Sequence, residues 1–351
     1  MVRIDKNFEL NTGYDLSRIG TPDRLLFFDI ETTGLSASSS SLYLLGCMYV
    51  EEEHWHFTQW LIESFSDELP VLRAFSELLS HFDTAVTFNG DSFDINYLNM
   101  CAKEYGLSDL FDGVNSFDLI KKVRPLKRFL ALPDCKLKTV ERFLGIYRED
   151  PFTGGELIEV YEEFTRTHDL RLQKTLLLHN EEDILNMPPL LQILAYSDFL
   201  CGTSLSLKEC YFNLSGTKLS CLAEADISFP VPVTYTNDDG ITVSLSGTNA
   251  SFEIPSFSGE LKYFYPNVKD YWYLPMEDQA YHKKIAGFVA KEHRVPATKE
   301  TCYTRMEGFF LPAFSGCENA QFRKSFSDPE RFVRYEENKL ADYLEALVHA
   351  L

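Results

Sequence analysis

The stretch Leu25-Leu26-Phe27-Phe28-Asp29-Ile30-Glu31-Thr32-Thr33-Gly34-Leu35 constrains this chain more than any other. Four apolar residues lead into an acid, an isoleucine and a second acid, and Thr-Thr-Gly then supplies a turn. The apolar run predicts a buried strand. Side chains two apart on a strand share a face, so Asp29 and Glu31 would present their carboxylates side by side. Like charges that close repel, and burying them is costly unless a cation lies between them. An edge strand with two solvated acids is the alternative, and the flanking hydrophobicity weighs against it.

A second acid motif is Phe88-Asn89-Gly90-Asp91-Ser92-Phe93-Asp94-Ile95-Asn96-Tyr97-Leu98. It falls where a short strand, Thr84 to Phe88, gives way to a helix from about Ser92 to Tyr105. Asp94 can therefore face back toward the sheet edge carrying Asp29 and Glu31. Asp91, beside Gly90, is better explained by turn chemistry. A third motif is Leu176-Leu177-Leu178-His179-Asn180-Glu181-Glu182-Asp183-Ile184-Leu185. His179 and Asp183 are four apart and share one face of a helix. Alone, His179 reads as a helix histidine bonded to nearby backbone. With the other two motifs it completes a set of four acids and an imidazole.

That set resembles the DEDD 3′–5′ exonucleases of the ribonuclease H-like superfamily. Asp29-Ile30-Glu31-Thr32 matches their D-x-E-T signature. Asn89-x-x-x-Phe93-Asp94-x-x-Tyr97-Leu98 is similar to the second motif of the proofreading domains of family B polymerases. Asp118-Leu119, Lys136-Leu137-Lys138-Thr139-Val140-Glu141 and Leu144-Gly145-Ile146 look like the bacterial YprB-like branch. One departure is plain: the histidine branch has its His five residues before the last acid, and here the gap is four, the spacing at which the tyrosine branch carries its Tyr.

The resemblance covers roughly residues 24 to 196. It implies that Asp29, Glu31, Asp94 and Asp183 hold two Mg²⁺ or Mn²⁺ ions. One ion would lower the pKa of a water and the other would stabilise a leaving 3′ oxygen. His179 would accept the proton of the attacking water, a task that suits an imidazole near neutral pH. The expected partners are 3′ ends of single-stranded DNA or RNA. An endonuclease on the same fold and a non-catalytic nucleic-acid-binding or scaffold protein are the alternatives. Four converging carboxylates have no use in a pure binder.

Charge tests this expectation. The chain of 351 residues carries a formal −20, awkward for phosphate binding. Yet Lys121, Lys122, Arg124, Lys127, Arg128, Lys136, Lys138 and Arg142 face only Asp134 and Glu141 between residues 121 and 142, a local excess of six positive charges. A solvated helix face explains such a run about as well as an electrostatic footprint does. The expected nucleic-acid contacts are Thr32, Asn89, Lys121, Lys122, Lys127, Arg128, Lys136 and Lys138.

The fold expected is α/β: a ribonuclease H-like mixed sheet flanked by helices over residues 24–200, after a lead-in over 1–23. A smaller α+β domain is expected over 201–351. There, Val231–Thr236 and Ile241–Leu245 read as a hairpin, and helices are expected from about Glu277 to His293 and Asp328 to Leu351. Tyr263-Phe264-Tyr265-Pro266 and Tyr271-Trp272-Tyr273-Leu274-Pro275, with Lys262, Lys269, Lys283 and Lys284 nearby, fit either a base-stacking surface or the core of a small sheet. No long apolar span or secretory h-region is evident, and eight scattered cysteines lack a C-x-x-C pair. A cytoplasmic protein with buried free thiols is expected.

Overall fold

The computed structural model describes residues 1–52, 54–202, 204–314, 317 and 322–351. The chain divides into two compact units, 1–197 and 198–351. The first holds a six-stranded mixed sheet in the order β1-β4-β3-β2-β5-β6. Its strands are β1 (Val2–Phe8), β2 (Leu25–Thr32), β3 (Leu42–Glu51), β4 (His54–Leu61), β5 (Thr84–Thr87) and β6 (Asn115–Asp118). The first four pair antiparallel, and β2, β5 and β6 pair parallel. Six helices accompany them: α1 (Glu68–Leu79), α2 (Asp94–Glu104), α3 (Leu119–Leu126), α4 (Leu137–Leu144), α5 (Gly154–Thr167) and α6 (Leu170–Leu190).

Alternation along β2 decides what each face buries. Leu26, Phe28 and Ile30 pack with Val71, Leu72, Phe75 and Leu79 of α1 and with Leu98 and Cys101 of α2. The opposite face receives α5 and α6, where Tyr43, Leu44 and Leu61 pack with Leu157, Phe164 and Leu176. Asp29 and Glu31 belong to this second face. The expected lead-in over 1–23 contains β1, whose Val2 to Phe8 pair with Trp55 to Leu61 of β4. Val2, Ile4 and Phe8 keep a period of two there, but Lys6 interrupts it and leaves the strand weakly marked.

The second unit is dominated by strands. Its longest ladder joins β8 (Lys218–Thr236) to β9 (Thr242–Pro255), with β7 (Leu205–Phe212) on the other side of β8. The expected hairpin is the tip of this ladder. A closed barrel forms from β10 (Phe257–Phe264), β14 (Tyr303–Pro312), β16 (Phe332–Arg334) and β15 (Phe322–Arg323). A small sheet comprises β11 (Tyr271–Leu274), β12 (Gln279–His282) and β13 (Val295–Pro296). The helix expected from Glu277 to His293 is instead β12 followed by one helical turn, Lys283–Ala286. Gln279–His282 pairs with β11, a non-local partner that local periodicity does not encode. The final helix is limited to Leu340–Ala350, because Phe332–Arg334 is taken into the barrel.

Of the aromatic stretch, Phe264 and Leu274 are buried, whereas Tyr271, Trp272 and Tyr273 are half-buried. Tyr271 stacks on Tyr265 at 4.3 Å, and Lys283 and Arg294 lie over the Trp272 ring. The eight cysteines are unpaired, four of them buried and Cys201 exposed. Among the described residues no helix is long and apolar enough to cross a membrane.

Candidate active site

The site is assembled where α6 crosses the central strands. Gly46 of β3 stands in register between Asp29 of β2 and Gln59 of β4. Without a side chain at Gly46, α6 lies close to the sheet and Asn180 spans the gap. Asn180 Nδ2 donates to Asp29 Oδ2 at 3.0 Å, and its Oδ1 accepts from Gln59 Nε2 at 2.9 Å. Gln59 Nε2 also donates to the Leu177 carbonyl. This polar row fixes the rotation of α6, and with it His179 and Asp183.

Asp94 arrives from the opposite layer. Asn89 adopts a left-handed backbone (φ 74°) and Gly90 packs onto Thr87. The buried Asp118 carboxylate accepts from the backbone N–H of Asn89 at 2.7 Å and of Asp91 at 3.3 Å, pinning the turn. The first residue of α2 is then Asp94, whose Oδ1 accepts from Ile30 N between the two acids of β2.

Glu31, His179 and Asp183 close the group. His179 Nε2 lies 3.4 Å from Glu31 Oε1 and 3.6 Å from Asp183 Oδ2. Each of the three offers a ligand atom within 4.8 Å of the others. Tyr43 directs its hydroxyl at Glu31 Oε2, 3.5 Å away.

The electrostatics follow from that crowding. Burial pushes the Asp29 and Glu31 acids well above the usual carboxylate range, and the charges of Asp183 and Asp94 push both further. Asp94 rises to about 7, chiefly through burial and against the hydrogen bonds it accepts from its own N–H and from Ile30. Carboxylates so placed are stable as anions only beside added positive charge. A cluster of hard oxygen donors with one imidazole suits a divalent cation.

Sequence reasoning missed the loop after α4, which supplies the site's own cation. Arg148 donates to Asp183 Oδ1 and, at 3.2 Å, to Glu141 Oε1, with its side chain only 7% exposed. Burial alone would lower its pKa, but Asp183 and Glu141 hold it firmly charged. Next to it, Asp150 Oδ2 meets His179 Nδ1 at 2.6 Å. Glu182 Oε1 and Oε2 accept the backbone N–H groups of Glu149 and Asp150 and so staple the loop to α6. Arg148 and Asp150 sit in an aperiodic stretch with no motif spacing, so no local signal marked them. Gly46 did carry one: an isolated glycine within an apolar strand points to a close approach.

The expected nucleic-acid contacts are spread over several settings. Thr32 Oγ1 donates to the Gly34 carbonyl within the turn after β2. Asn89 and Lys136 line one shallow groove together with Arg124 and Ile120. Lys121 pairs with Asp91, and Lys122 lies over the Phe117 ring. Lys127 and Arg128 fall just after α3, on the segment leading to Lys136. Lys138 reaches inward to Asp150 Oδ2 at 3.2 Å and to the Phe152 carbonyl.

The first unit is similar to known proteins. Residues 26–195 match the family model described as RNase_H superfamily, in keeping with the mixed sheet and flanking helices of this unit. More particularly, the chain is 30% identical over 172 residues to the uncharacterized protein YprB of Bacillus subtilis strain 168. The match takes in 47% of this chain and 40% of that protein, so the chain spans well under half of its relative's length. Among solved structures, the family B DNA polymerase of Pyrobaculum calidifontis is similar over 51% of this chain and 26% of its own, at 20% identity and a TM-score of 0.40. An ExoI/SSB-Ct complex is similar over 63% of this chain and 55% of its own, at 13% identity and a TM-score of 0.31. The family match ends at residue 195, and the second unit lies outside it.

Proposed function

We propose that this chain is a metal-dependent 3′–5′ exonuclease of the DEDD type, hydrolysing single-stranded DNA or RNA from the 3′ end and releasing nucleoside 5′-monophosphates. The observation that carries the reading is the convergence of Asp29, Glu31, Asp94 and Asp183 from three distant segments, with Glu31 and Asp183 beside His179 Nε2. Two Mg²⁺ or Mn²⁺ ions held by these four acids would supply the positive charge that activates water and stabilises the leaving oxygen.

The chain's own groups account for the remaining steps. His179 Nε2, aimed into the acid cluster, accepts the proton of the water whose oxygen attacks phosphorus. The bond between phosphorus and the 3′ oxygen breaks in line, leaving the phosphate on the 5′ side of the released nucleotide. Asn180 orients Asp29, Arg148 orients Asp183, and the Ile30 N–H orients Asp94, so three of the four acids are held before any substrate arrives. The groove lined by Asn89, Arg124 and Lys136 offers donors and positive charge to a strand passing toward the cluster.

The test is incubation of the purified chain and Mn²⁺ with 5′-labelled single strands of DNA and RNA. A descending ladder supports the exonuclease. Internal cuts indicate an endonuclease on the same fold, and intact strands indicate a binding protein.

A further inference from the structure

His179 makes a bond that the proton-transfer step does not by itself require. Its Nδ1 meets Asp150 Oδ2 at 2.6 Å, with the two side chains 5% and 1% exposed. A carboxylate only accepts hydrogen bonds, so Nδ1 carries a proton and donates it to Asp150, and in the neutral ring the lone pair is then on Nε2. We propose that Asp150 is a positioning residue that fixes this tautomer and keeps Nε2 an acceptor facing Glu31 and Asp183. What Nε2 then does rests on the nuclease reading; the tautomer itself does not.

Asp150 is not free to turn away. Its Oδ1 accepts from Phe152 N at 3.1 Å, and Oδ2 also takes Lys138 Nζ at 3.2 Å. Its own N–H is held by Glu182, one residue from Asp183 on α6. Burial would raise the Asp150 acid, but the bonds from His179, the Phe152 N–H and Lys138 bring it below its ordinary value, so the acceptor stays ionised. Lys138 thus belongs to this relay as well as to the basic run. The arrangement resembles the orienting carboxylate of other histidine bases, in which the carboxylate sets the ring's tautomer and direction without taking the proton. It also accounts for the four-residue spacing of His179 and Asp183. With both on one face of α6, the ring needs an anchor on its far side to hold Nε2 toward the acids.

Removing the acceptor, rather than converting it to an amide, tests the anchor. Asn could keep an oxygen at the Oδ2 position, where His179 Nδ1 and Lys138 both donate, so the informative change is Asp150→Leu. Leucine offers Nδ1 no acceptor, and the neutral ring is then free to place its proton on either nitrogen and to turn away from the acids.

The full chain labelled with ¹⁵N-histidine, in EDTA with the pH raised until the His179 ring is neutral, reports the tautomer by long-range ¹H–¹⁵N correlation, with His179→Gln assigning the signal. Wild type is expected to show a proton on Nδ1 alone once neutral, and Asp150→Leu a share of its protons on Nε2. In the Mn²⁺ ladder assay Asp150→Leu should lose roughly 10³–10⁴-fold in kcat with KM within about threefold. A neutral wild-type ring protonated on Nε2 alone overturns the proposal whether or not the variant folds. So does a folded Asp150→Leu whose neutral ring stays protonated on Nδ1 alone. If the tautomers behave as expected but wild type cleaves no strand, Asp150 keeps its role and the nuclease reading fails.

Discussion

Gly46 and Asn180 meet with no room to spare: a Cβ on Gly46 would lie 2.2 Å from Asn180 Oδ1 and 2.4 Å from Ile184 Cδ1. The sheet and α6 therefore touch at the point where Asn180 ties Asp29 to Gln59. Gly46→Ala forces the Asn180 and Ile184 side chains aside and so breaks that row. The expected loss is about 1–3 kcal/mol of stability, as for other overpacked sites, with weakened Mn²⁺ binding because Asp29 loses the donor that orients it. Thermal unfolding with and without Mn²⁺ measures both, and a wild-type melt in both conditions would remove Gly46 from the account.

Asp29→Asn separates folding from chemistry. The amide keeps an oxygen for Asn180 Nδ2 while removing one of four mutually repelling charges. In EDTA the variant is expected to melt at or above the wild-type temperature. Cleavage should fall by at least about 10²–10³-fold, the scale for removing one electrostatic group from an active site. Mn²⁺ at a hundred times its dissociation constant should stabilise wild type by about 2.7 kcal/mol and Asp29→Asn by much less. Equal stabilisation of the two would place the metal elsewhere.

Arg148 is the built-in counter-charge, and removing it should be costly in a way that surface pairs are not. Arg148→Met leaves Glu141 and Asp183 without their shared cation in a buried setting. A loss of roughly 3–5 kcal/mol in urea unfolding is expected in EDTA. Adding Glu141→Gln should recover part of it. A loss below about 1 kcal/mol would mean that the pair is effectively solvated.

The second unit offers a pH test independent of the acid cluster. Hydrogen bonds from Tyr273 and Tyr303, with Arg305 adding charge, bring the Asp278 acid down to about 2. A carboxylate whose folded pKa is depressed stabilises the fold above its unfolded value near 3.9, and that contribution is lost as pH falls through about 2. Asp278 sits at φ 53°, which Asn tolerates. Asp278→Asn should therefore melt below wild type at pH 6, with the difference closing between about pH 4 and 2. A constant difference across that range would rule out the ionic contribution.

These expectations also mark what was legible in the residue order. Asp29, Glu31, Asp94, His179 and Asp183 were readable because each sits in a local pattern: a strand's period of two, a strand-to-helix turn, a four-residue helical step. The hairpin over Val231–Thr236 and Ile241–Leu245 was readable for the same reason. Arg148 and Asp150 act across 35 and 29 residues, through a loop whose conformation is set by Glu182, and no local period carries that information. The segment Gln279–His282 went wrong for a related cause, since its strand state comes from pairing with β11.

The most direct measurement is the anomalous difference map of a crystal grown with Mn²⁺. The account predicts two peaks within about 2.0–2.6 Å of oxygens from Asp29, Glu31, Asp94 and Asp183, the range of oxygen–cation bonds. An ordered crystal with Mn²⁺ bound only elsewhere, or with no peak among these four side chains at saturating metal, would contradict it.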